Sequence, residues 1–204
     1  MTLDPLIGII SVLGLGAFTL SGVIEAKRKD MDIVGAAAVA FITAVGGGTV
    51  RDVLLGRYPI FWINDQGYAI GIFALAAIAF YSLRSARIAS SAILIPDALG
   101  LGLFTVTGAS YALAAHTSMA IASLMGVITG IFGGVLRDVV CNEIPAVFAR
   151  TQLYATCSLV GAWAFLLLDH FGAGEGVALP AGVLVTFLLR MAALRFDLRL
   201  QRPG

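Results

Sequence analysis

Seven long apolar runs divide this chain, and each is long enough to cross about 30 Å of hydrocarbon as a helix. Of the 204 residues, 59% are hydrophobic and only 12% are charged, whereas roughly a quarter are charged in a soluble domain. Open sheets are excluded in lipid, and the runs are too long for barrel strands. The sequence therefore predicts an all-α integral membrane protein with seven transmembrane helices. These are Pro5–Ile24, Met31–Leu55, Gln66–Leu83, Ile95–Ala115, Ser118–Cys141, Thr151–Leu168 and Val177–Phe196.

The polar breaks between the runs are short, so no linker divides the chain into separate domains. We predict a single transmembrane domain over residues 1–204, in which residues 177–204 form the seventh helix and a cytoplasmic tail. The basic residues predict the orientation, because cytoplasmic loops are enriched in Lys and Arg. With the N-terminus outside, the outer side holds only Arg51 and Arg57. The cytoplasmic side holds Lys27, Arg28, Lys29, Arg84, Arg87, Arg137, Arg150, Arg190, Arg195, Arg199 and Arg202.

The chain also repeats itself at a constant offset of 86 residues, over about residues 4–84 and 90–170. Each copy holds three predicted helices, an odd number, so the second copy enters the membrane from the opposite side. Helices one to three and four to six are thus predicted to be inverted repeats, with the seventh helix outside them. Such repeats are typical of solute pathways. The matched positions include Gly14/Gly100, Phe18/Phe104, Gly22/Gly108, Thr43/Thr129, Gly47/Gly133, Gly48/Gly134, Arg51/Arg137, Asp52/Asp138, Pro59/Pro145 and Tyr68/Tyr154.

Glycine clusters interrupt the second and fifth predicted helices, at Gly46, Gly47 and Gly48 and at Gly133 and Gly134. A kink or break at such a cluster would free backbone carbonyls that can hold a cation. Alternatively, small residues allow close packing between membrane helices. We favour the pathway interpretation for these two clusters, because charged residues follow both, and the packing interpretation for the glycines of the first and fourth helices.

The charges that follow the clusters are Arg51 with Asp52 and Arg137 with Asp138. Adjacent residues on a helix point about 100° apart, so each charge is expected to find its partner on another helix. The two aspartates are predicted to attract cations at the two mouths of a pathway, with the arginines holding them in place. The alternative is a set of interfacial charges that reach the membrane surface. Asp97, after Pro96, is interpreted as a helix start instead of a pore residue.

These motifs resemble the prokaryotic TRIC family of trimeric intracellular cation channels, over essentially the whole chain. The resemblance rests on Gly46–Asp52 followed by the sequence LLGRYP at 54–59, and on Gly133–Asp138 with the later Pro145. It implies a homotrimer of seven-helix protomers, each with its own pore for potassium and other monovalent cations, lined by kinked second and fifth helices. Related bacterial sequences are described as glycine transporters. The Lys-Glu-Val motif of the animal members is missing, so their gating and lipid-binding residues are not carried over.

The function predicted from sequence is therefore a monovalent cation (potassium) channel in the cell membrane. The first alternative is a secondary carrier for glycine or a similar small zwitterion, and the second is a scaffold without transport. No catalytic triad, metal-ligand cluster or phosphate loop is visible, so no enzyme activity and no cofactor are expected. A net charge of +1 gives no reason to expect nucleic acid as a partner. Membrane lipids are expected partners, with Arg195, Arg199 and Arg202 near anionic headgroups.

Overall fold

The computed structural model describes residues 5–83, 90–148 and 153–198, which contain helices and no strands. A short 3₁₀-helix, Ser90–Ile93, precedes the fifth α-helix. The α-helices are α1 Pro5–Arg28, α2 Ile33–Leu54, α3 Phe61–Asn64, α4 Gln66–Ser82, α5 Leu94–Ala114, α6 Met119–Val140, α7 Ala155–His170 and α8 Glu175–Arg195. The predicted all-helical class is thereby confirmed for the described residues.

The seven longer helices coincide with the seven predicted runs, whereas α3 has only four residues and was not predicted. Five helices, α1, α2, α5, α6 and α8, are long and apolar enough to cross a membrane. Helices α4 and α7 have 17 and 16 residues, which corresponds to about 25 Å at 1.5 Å per residue. Of the basic residues that predicted the orientation, Arg84, Arg87, Arg150, Arg199 and Arg202 lie outside the described residues.

Helices α2 and α6 begin with the same kind of cap at positions that are 86 residues apart. The carboxylate of Asp32 accepts a hydrogen bond from the backbone N–H of Gly35 at 2.8 Å. The hydroxyl of Ser118 accepts one from Ile121 at 3.3 Å. Each cap satisfies a backbone donor that has no partner within the helix. The repeat is therefore visible in the local bonding that starts the two helices.

The same two helices end in matching left-handed turns. Gly56 after α2 and Asn142 after α6 have φ angles of +63° and +56°, a conformation that favours Gly and Asn. The N–H of Arg57 then bonds to the carbonyl of Asp52, and that of Glu143 to the carbonyl of Asp138, both at 2.8 Å. These closures fix where the chain leaves each helix, just after the charged residues.

Helices α1 and α5 contact each other through a pair of stacked aromatic rings. The centroids of Phe18 and Phe104 lie 5.3 Å apart at an interplanar angle of 20°, and both side chains are buried. A Cβ at Gly14 would lie 3.2 Å from the Phe104 ring, and one at Gly100 would overlap the Phe18 ring. The two glycines therefore make room for the rings, so the packing interpretation holds here.

Helix α8 packs against α5 and α7 and has no counterpart in the first repeat. A Cβ at Gly161 would overlap the Thr186 hydroxyl of α8, and one at Gly102 would lie 2.9 Å from the carbonyl oxygen of Val183. In the first repeat, the corresponding space between α1 and α4 is a cavity of about 420 Å³. Its lining includes Gly16 and Leu75, the repeat equivalents of Gly102 and Gly161.

Candidate functional site

The glycine clusters lie where α2 crosses α6. A Cβ at Gly47 would overlap the carbonyl oxygen of Thr129, and a Cβ at Gly133 would overlap that of Thr43. These four residues form two pairs with the 86-residue offset, so the crossing makes the same contact twice. Both helices are continuous through their clusters, so a break that frees carbonyls, one of the two predicted interruptions, is not observed. The glycines bring two backbones into contact instead.

The remaining glycines of the clusters accommodate side chains. A Cβ at Gly46 would lie 2.6 Å from the Leu136 side chain, and one at Gly48 would lie 2.6 Å from the Phe61 ring. Gly134 faces a polar group of atoms, since a Cβ there would lie 3.0 Å from the Tyr154 hydroxyl and 3.5 Å from Asp97 Oδ1. Gly134 therefore makes space for a buried polar network.

Arg51 and Asp52, in the last turn of α2, pair with each other. Arg51 Nε donates to Asp52 Oδ1 at 2.9 Å, and Arg51 Nη2 lies 2.8 Å from the same oxygen. The other oxygen of Asp52 accepts a hydrogen bond from the N–H of Phe61 at 3.0 Å. Both side chains are buried. Asp52 thus neutralises Arg51 and also fixes the start of α3.

Arg137 and Asp138 repeat this arrangement at the end of α6. Arg137 Nε donates to Asp138 Oδ1 at 2.8 Å, with Nη2 at 2.7 Å from the same oxygen. Asp138 Oδ2 accepts a hydrogen bond from the N–H of Ala146 at 3.1 Å. In both repeats one carboxylate therefore holds its neighbouring arginine and the loop that follows the helix.

The prediction that neighbouring Arg and Asp side chains do not pair was wrong for both motifs. The angle of about 100° between adjacent residues describes only the directions in which their side chains leave the helix. The arginine side chain is long enough to bend back towards its neighbour at the helix end. Removing a buried charge from water without a partner costs several kcal/mol. The nearest carboxylate is therefore used even when it belongs to the adjacent residue.

Arg137 also has a partner on another helix, and this residue is Asp97. Arg137 Nη1 donates to Asp97 Oδ1 at 2.7 Å and also to the hydroxyl of Ser21. Asp97 lies in the first turn of α5 and is buried. Its interpretation as a residue of the helix start is confirmed, and its ion pair with Arg137 is an additional role that the sequence analysis did not predict. The available signal was a carboxylate in an apolar run whose repeat equivalent, Ser11, is neutral.

The surroundings of Arg51 are different, because an aromatic ring takes the place of a second carboxylate. The guanidinium carbons of Arg51 and Arg57 each lie 4.0 Å from the centroid of Tyr111. Arg57 Nη1 is 3.9 Å from Asp52 Oδ1. A cation above an aromatic face is attracted by the negative charge of that face. Tyr111 therefore helps to hold two positive groups beside one carboxylate.

Close to the end of α6, a surface ion pair joins two loops. Lys29, between α1 and α2, pairs with Glu143, which follows α6. The hydrogen bond from Lys29 holds the pKa of the Glu143 carboxyl below its ordinary value. The same bond raises the pKa of Lys29. Both side chains are solvated, so this pair orients the loops more than it stabilises the fold.

The fold and this site define a multi-pass helical membrane protein with Arg-Asp pairs buried at the ends of two crossing helices. A family model described as "Glycine transporter" matches residues 8–84 and again residues 94–170. The chain is 39% identical to a UPF0126 membrane protein of Vibrio cholerae, over 96% of this chain and 82% of that protein. It is 35% identical to the UPF0126 inner membrane protein YadS of Escherichia coli, over 94% and 93% of the two chains.

Solved structures agree with these sequence relatives. The TRIC trimeric intracellular cation channel orthologue from Rhodobacter sphaeroides superposes with a TM-score of 0.89 at 41% identity, covering 96% of this chain and 100% of that chain. A second structure, of TRIC cation channels, gives a TM-score of 0.84 at 33% identity, with 97% of each chain covered. The chain belongs to the family of membrane proteins that the "Glycine transporter" model describes and that includes the UPF0126 proteins. Its predicted resemblance to prokaryotic TRIC channels is confirmed. These structural relatives are channels and not enzymes.

Proposed function

We propose that this protein is a potassium-permeable, cation-selective channel of the inner membrane, with one pathway in each protomer of a homotrimer. Its similarity to TRIC cation channels at 41% identity supports this function. The same similarity supports the proposed assembly, because that relative is described as trimeric. Selectivity for potassium and the route of the ion are our own extensions.

The observation that carries the proposed route is the twofold glycine contact between α2 and α6. The carbonyl oxygens of Thr43 and Thr129 lie against Gly133 and Gly47. Both carbonyls lie within continuous helices and accept an intrahelical hydrogen bond, so each has one remaining lone pair that could contact a cation. In this conformation the two backbones touch, so the route is closed at this level. Separation of α2 and α6 would expose both carbonyls to a passing ion.

The charges at the helix ends complete the proposed pathway. The route runs past Gly46, Gly47, Gly48, Arg51 and Asp52 on α2 and past Gly133, Gly134, Arg137 and Asp138 on α6. Buried charges in a membrane protein are costly and are generally retained for function. Asp52 and Asp138 hold the arginines against the ends of their helices.

We further propose seven membrane spans, with helices α1, α2 and α4 inverted relative to α5, α6 and α7, and α8 outside the repeat. The two matches of the family model support this arrangement, since they begin at residues 8 and 94 and are thus 86 residues apart. The N-terminus is outside and the C-terminus cytoplasmic. Thiol labelling of single cysteines placed in the loops, with a membrane-impermeant reagent, tests this orientation.

Planar-bilayer recording of the purified protein in asymmetric KCl tests the channel. We expect discrete current steps that reverse near the potassium equilibrium potential. Reversal near the chloride potential would contradict cation selectivity. Recording after replacement of K⁺ by the large cation N-methylglucamine is the control for leak, and the steps should then disappear.

A carrier for glycine or a similar small zwitterion is the second candidate, favoured by the description of the matching family model. Inverted repeats are also found in alternating-access carriers. Uptake of labelled glycine into proteoliposomes separates the two functions. Saturable uptake without current steps would establish the carrier, whereas current steps without glycine uptake would establish the channel.

A further inference from the structure

The cavity between α1 and α4, which we call the α1–α4 groove, has mostly apolar walls and one charged end. Its lining includes Gly16 of α1 and Tyr68, Gly71 and Leu75 of α4. Asp65, which precedes α4, is the one charged residue that lines it in the described part of the chain. From Tyr68 to Leu75 the groove extends about 10 Å along α4, which is much of the depth of one leaflet, about 15 Å.

The second repeat shows what kind of group fits the equivalent position, because α8 lies there. A Cβ at Gly102 would lie 2.9 Å from the carbonyl oxygen of Val183 on α8. Further along α8, Arg190 Nη1 donates a hydrogen bond to the carbonyl of Leu153 at 2.9 Å. The guanidinium carbon of Arg190 lies 4.8 Å from the centroid of the Tyr154 ring. Helix α8 therefore presents an apolar stretch and then a cation.

The residues that receive α8 have counterparts in the α1–α4 groove. With the offset of 86 residues, Gly102, Leu153 and Tyr154 correspond to Gly16, Gly67 and Tyr68, and all three counterparts line the groove. The position that Arg190 takes beside Tyr154 thus corresponds to the end of the groove that holds Tyr68 and Asp65. The pseudo-symmetry indicates a ligand with an apolar part in the groove and a cation at this end.

We propose that the α1–α4 groove binds a membrane phospholipid whose headgroup carries a primary ammonium group. One acyl chain lies along Gly16 and Gly71, and the ammonium group pairs with Asp65 beside Tyr68. Asp65 directly precedes a helix of membrane-spanning character, so its carboxylate lies at the depth of the headgroups. This binding goes beyond the proposed channel function and does not depend on it.

The carboxylate of Asp65 has the capacity for such a partner. Its Oδ1 accepts a hydrogen bond from the N–H of Gly67 at 2.8 Å. Among the described residues, Asp65 forms no ion pair. An ammonium group has three N–H donors, and its hydrogen bonds to a carboxylate are strengthened by charge. Tyr68 adds an aromatic ring, and such rings attract cations.

Two arginines on the same side of the protein already have other partners. Arg51 is buried and pairs with Asp52 at 2.8 Å. The guanidinium carbon of Arg57 lies 4.0 Å from the centroid of Tyr111, which belongs to α5. Neither arginine lines the groove. The charge that a ligand in the groove meets directly is therefore the negative charge of Asp65.

The headgroup gives the first test. Phosphatidylethanolamine carries a primary ammonium group, phosphatidylcholine carries a cation without N–H donors, and phosphatidylglycerol carries no cation. The delipidated protein is mixed in detergent with each of these lipids, all with the same acyl chains, and native mass spectrometry counts the bound molecules. We expect phosphatidylethanolamine to bind on the order of fivefold more tightly than phosphatidylcholine, and phosphatidylglycerol to bind most weakly.

Removal of the charge gives the second test. Asp65→Asn keeps a side-chain oxygen to cap α4 but removes the negative charge, so the preference for phosphatidylethanolamine over phosphatidylcholine should disappear. Asp32→Asn is the matched control, because Asp32 caps α2 with the same kind of bond, to the N–H of Gly35 at 2.8 Å, and does not line the groove. This variant should retain the wild-type preference.

Filling the groove gives the third test. A Cβ at Gly71 has no neighbour within 4 Å, so Gly71→Phe places a ring in the groove without overlapping the backbone. It should weaken the binding of all three lipids. Gly176→Phe is the control, because a Cβ at this residue of α8 also has no neighbour within 4 Å and lies outside the groove.

Each result supports or overturns the inference. Equal binding of phosphatidylethanolamine and phosphatidylcholine by the wild type would overturn it, as would a preference that survives Asp65→Asn or that Asp32→Asn also abolishes. Lipid binding that Gly71→Phe leaves unchanged would place the lipid elsewhere. Dissociation of a wild-type trimer by Gly71→Phe would show that a second copy of the chain occupies the groove. A lipid preference without current steps would remove the proposed channel and leave this inference standing.

Discussion

Gly47 of α2 lies against the carbonyl oxygen of Thr129 on α6, and no side chain separates the two backbones. The equivalent contact joins Gly133 to Thr43. Such close contact is typical of helix pairs in membranes, where small residues let van der Waals packing replace the hydrophobic effect. The contact is also the place where the proposed pathway has to open.

Gly47→Ala should destabilise the protein or force α2 away from α6. The added methyl group overlaps a backbone atom that cannot rotate away, and overpacking of this kind typically costs about 1–3 kcal/mol. Thermal unfolding in detergent, followed by size-exclusion chromatography, measures the loss. Gly71→Ala is the matched control, because a Cβ there has no neighbour within 4 Å. Equal stability of the two variants would contradict the described contact.

Asp97→Asn should strongly destabilise the α5–α6 contact. The substitution removes one charged hydrogen-bond partner of Arg137 but leaves Asp138 as its counter-ion, so the expected loss is about 1.5–3 kcal/mol. A double-mutant cycle with Arg137→Gln measures the coupling between the two residues. The effects of the two substitutions should be far from additive. Additive effects would mean that the 2.7 Å bond contributes little.

Asp52→Asn and Asp138→Asn should alter cation selectivity or flux, and Asp52→Asn should also lower the stability more, because Arg51 loses its paired carboxylate whereas Arg137 retains Asp97. An amide retains the bond from the loop N–H but removes the negative charge beside each arginine. Reversal potentials in asymmetric KCl measure the selectivity. Asp169→Asn, in the last turn of α7 and outside both Arg-Asp motifs, is a control that should behave like the wild type. Unchanged flux and selectivity in both test variants would refute the site assignment.

Lys29→Gln should raise the pKa of Glu143 to its ordinary value. In the wild-type protein, Lys29 lowers the pKa of Glu143. The ion pair therefore stabilises the folded protein fully above the pKa that Glu143 has in the unfolded chain. This stabilisation is lost as the pH falls through the pKa of Glu143 in the folded protein. Titration of the labelled Glu143 carboxyl by NMR measures both values. The same pKa in both proteins would show that the ion pair does not form in solution.

Much of the fold was predictable because membranes restrict it to few solutions. All seven longer helices overlap the predicted apolar runs, with ends that differ by up to four residues, and the offset of 86 residues correctly pairs the caps Asp32 and Ser118. The four residues of α3 were missed because so short a helix has no periodicity to read. The loop bond from Phe61 to Asp52 holds this helix in place, and that bond depends on tertiary structure.

The site was only partly predictable. Glycine clusters are compatible with a kinked or broken helix and also with close packing of two helices. Only the positions of Thr43 and Thr129 in the folded protein show that close packing occurs here. The pairing of Arg51 with Asp52 was missed because spacing rules treat side chains as fixed directions. The ion pair of Asp97 was missed because sequence spacing does not reveal that this residue, 40 positions before Arg137, contacts it from the neighbouring helix.

The cavity between α1 and α4 makes the surroundings of the two repeats unequal. In the second repeat, α8 packs against the equivalent helices, and its backbone contacts Gly102 and Gly161. In the first repeat, the equivalent residues Gly16 and Leu75 line a groove that is open to the surface. Two similar copies of one sequence therefore have different neighbours, because one copy is covered by a helix of its own chain and the other presents that face to the outside of the protomer.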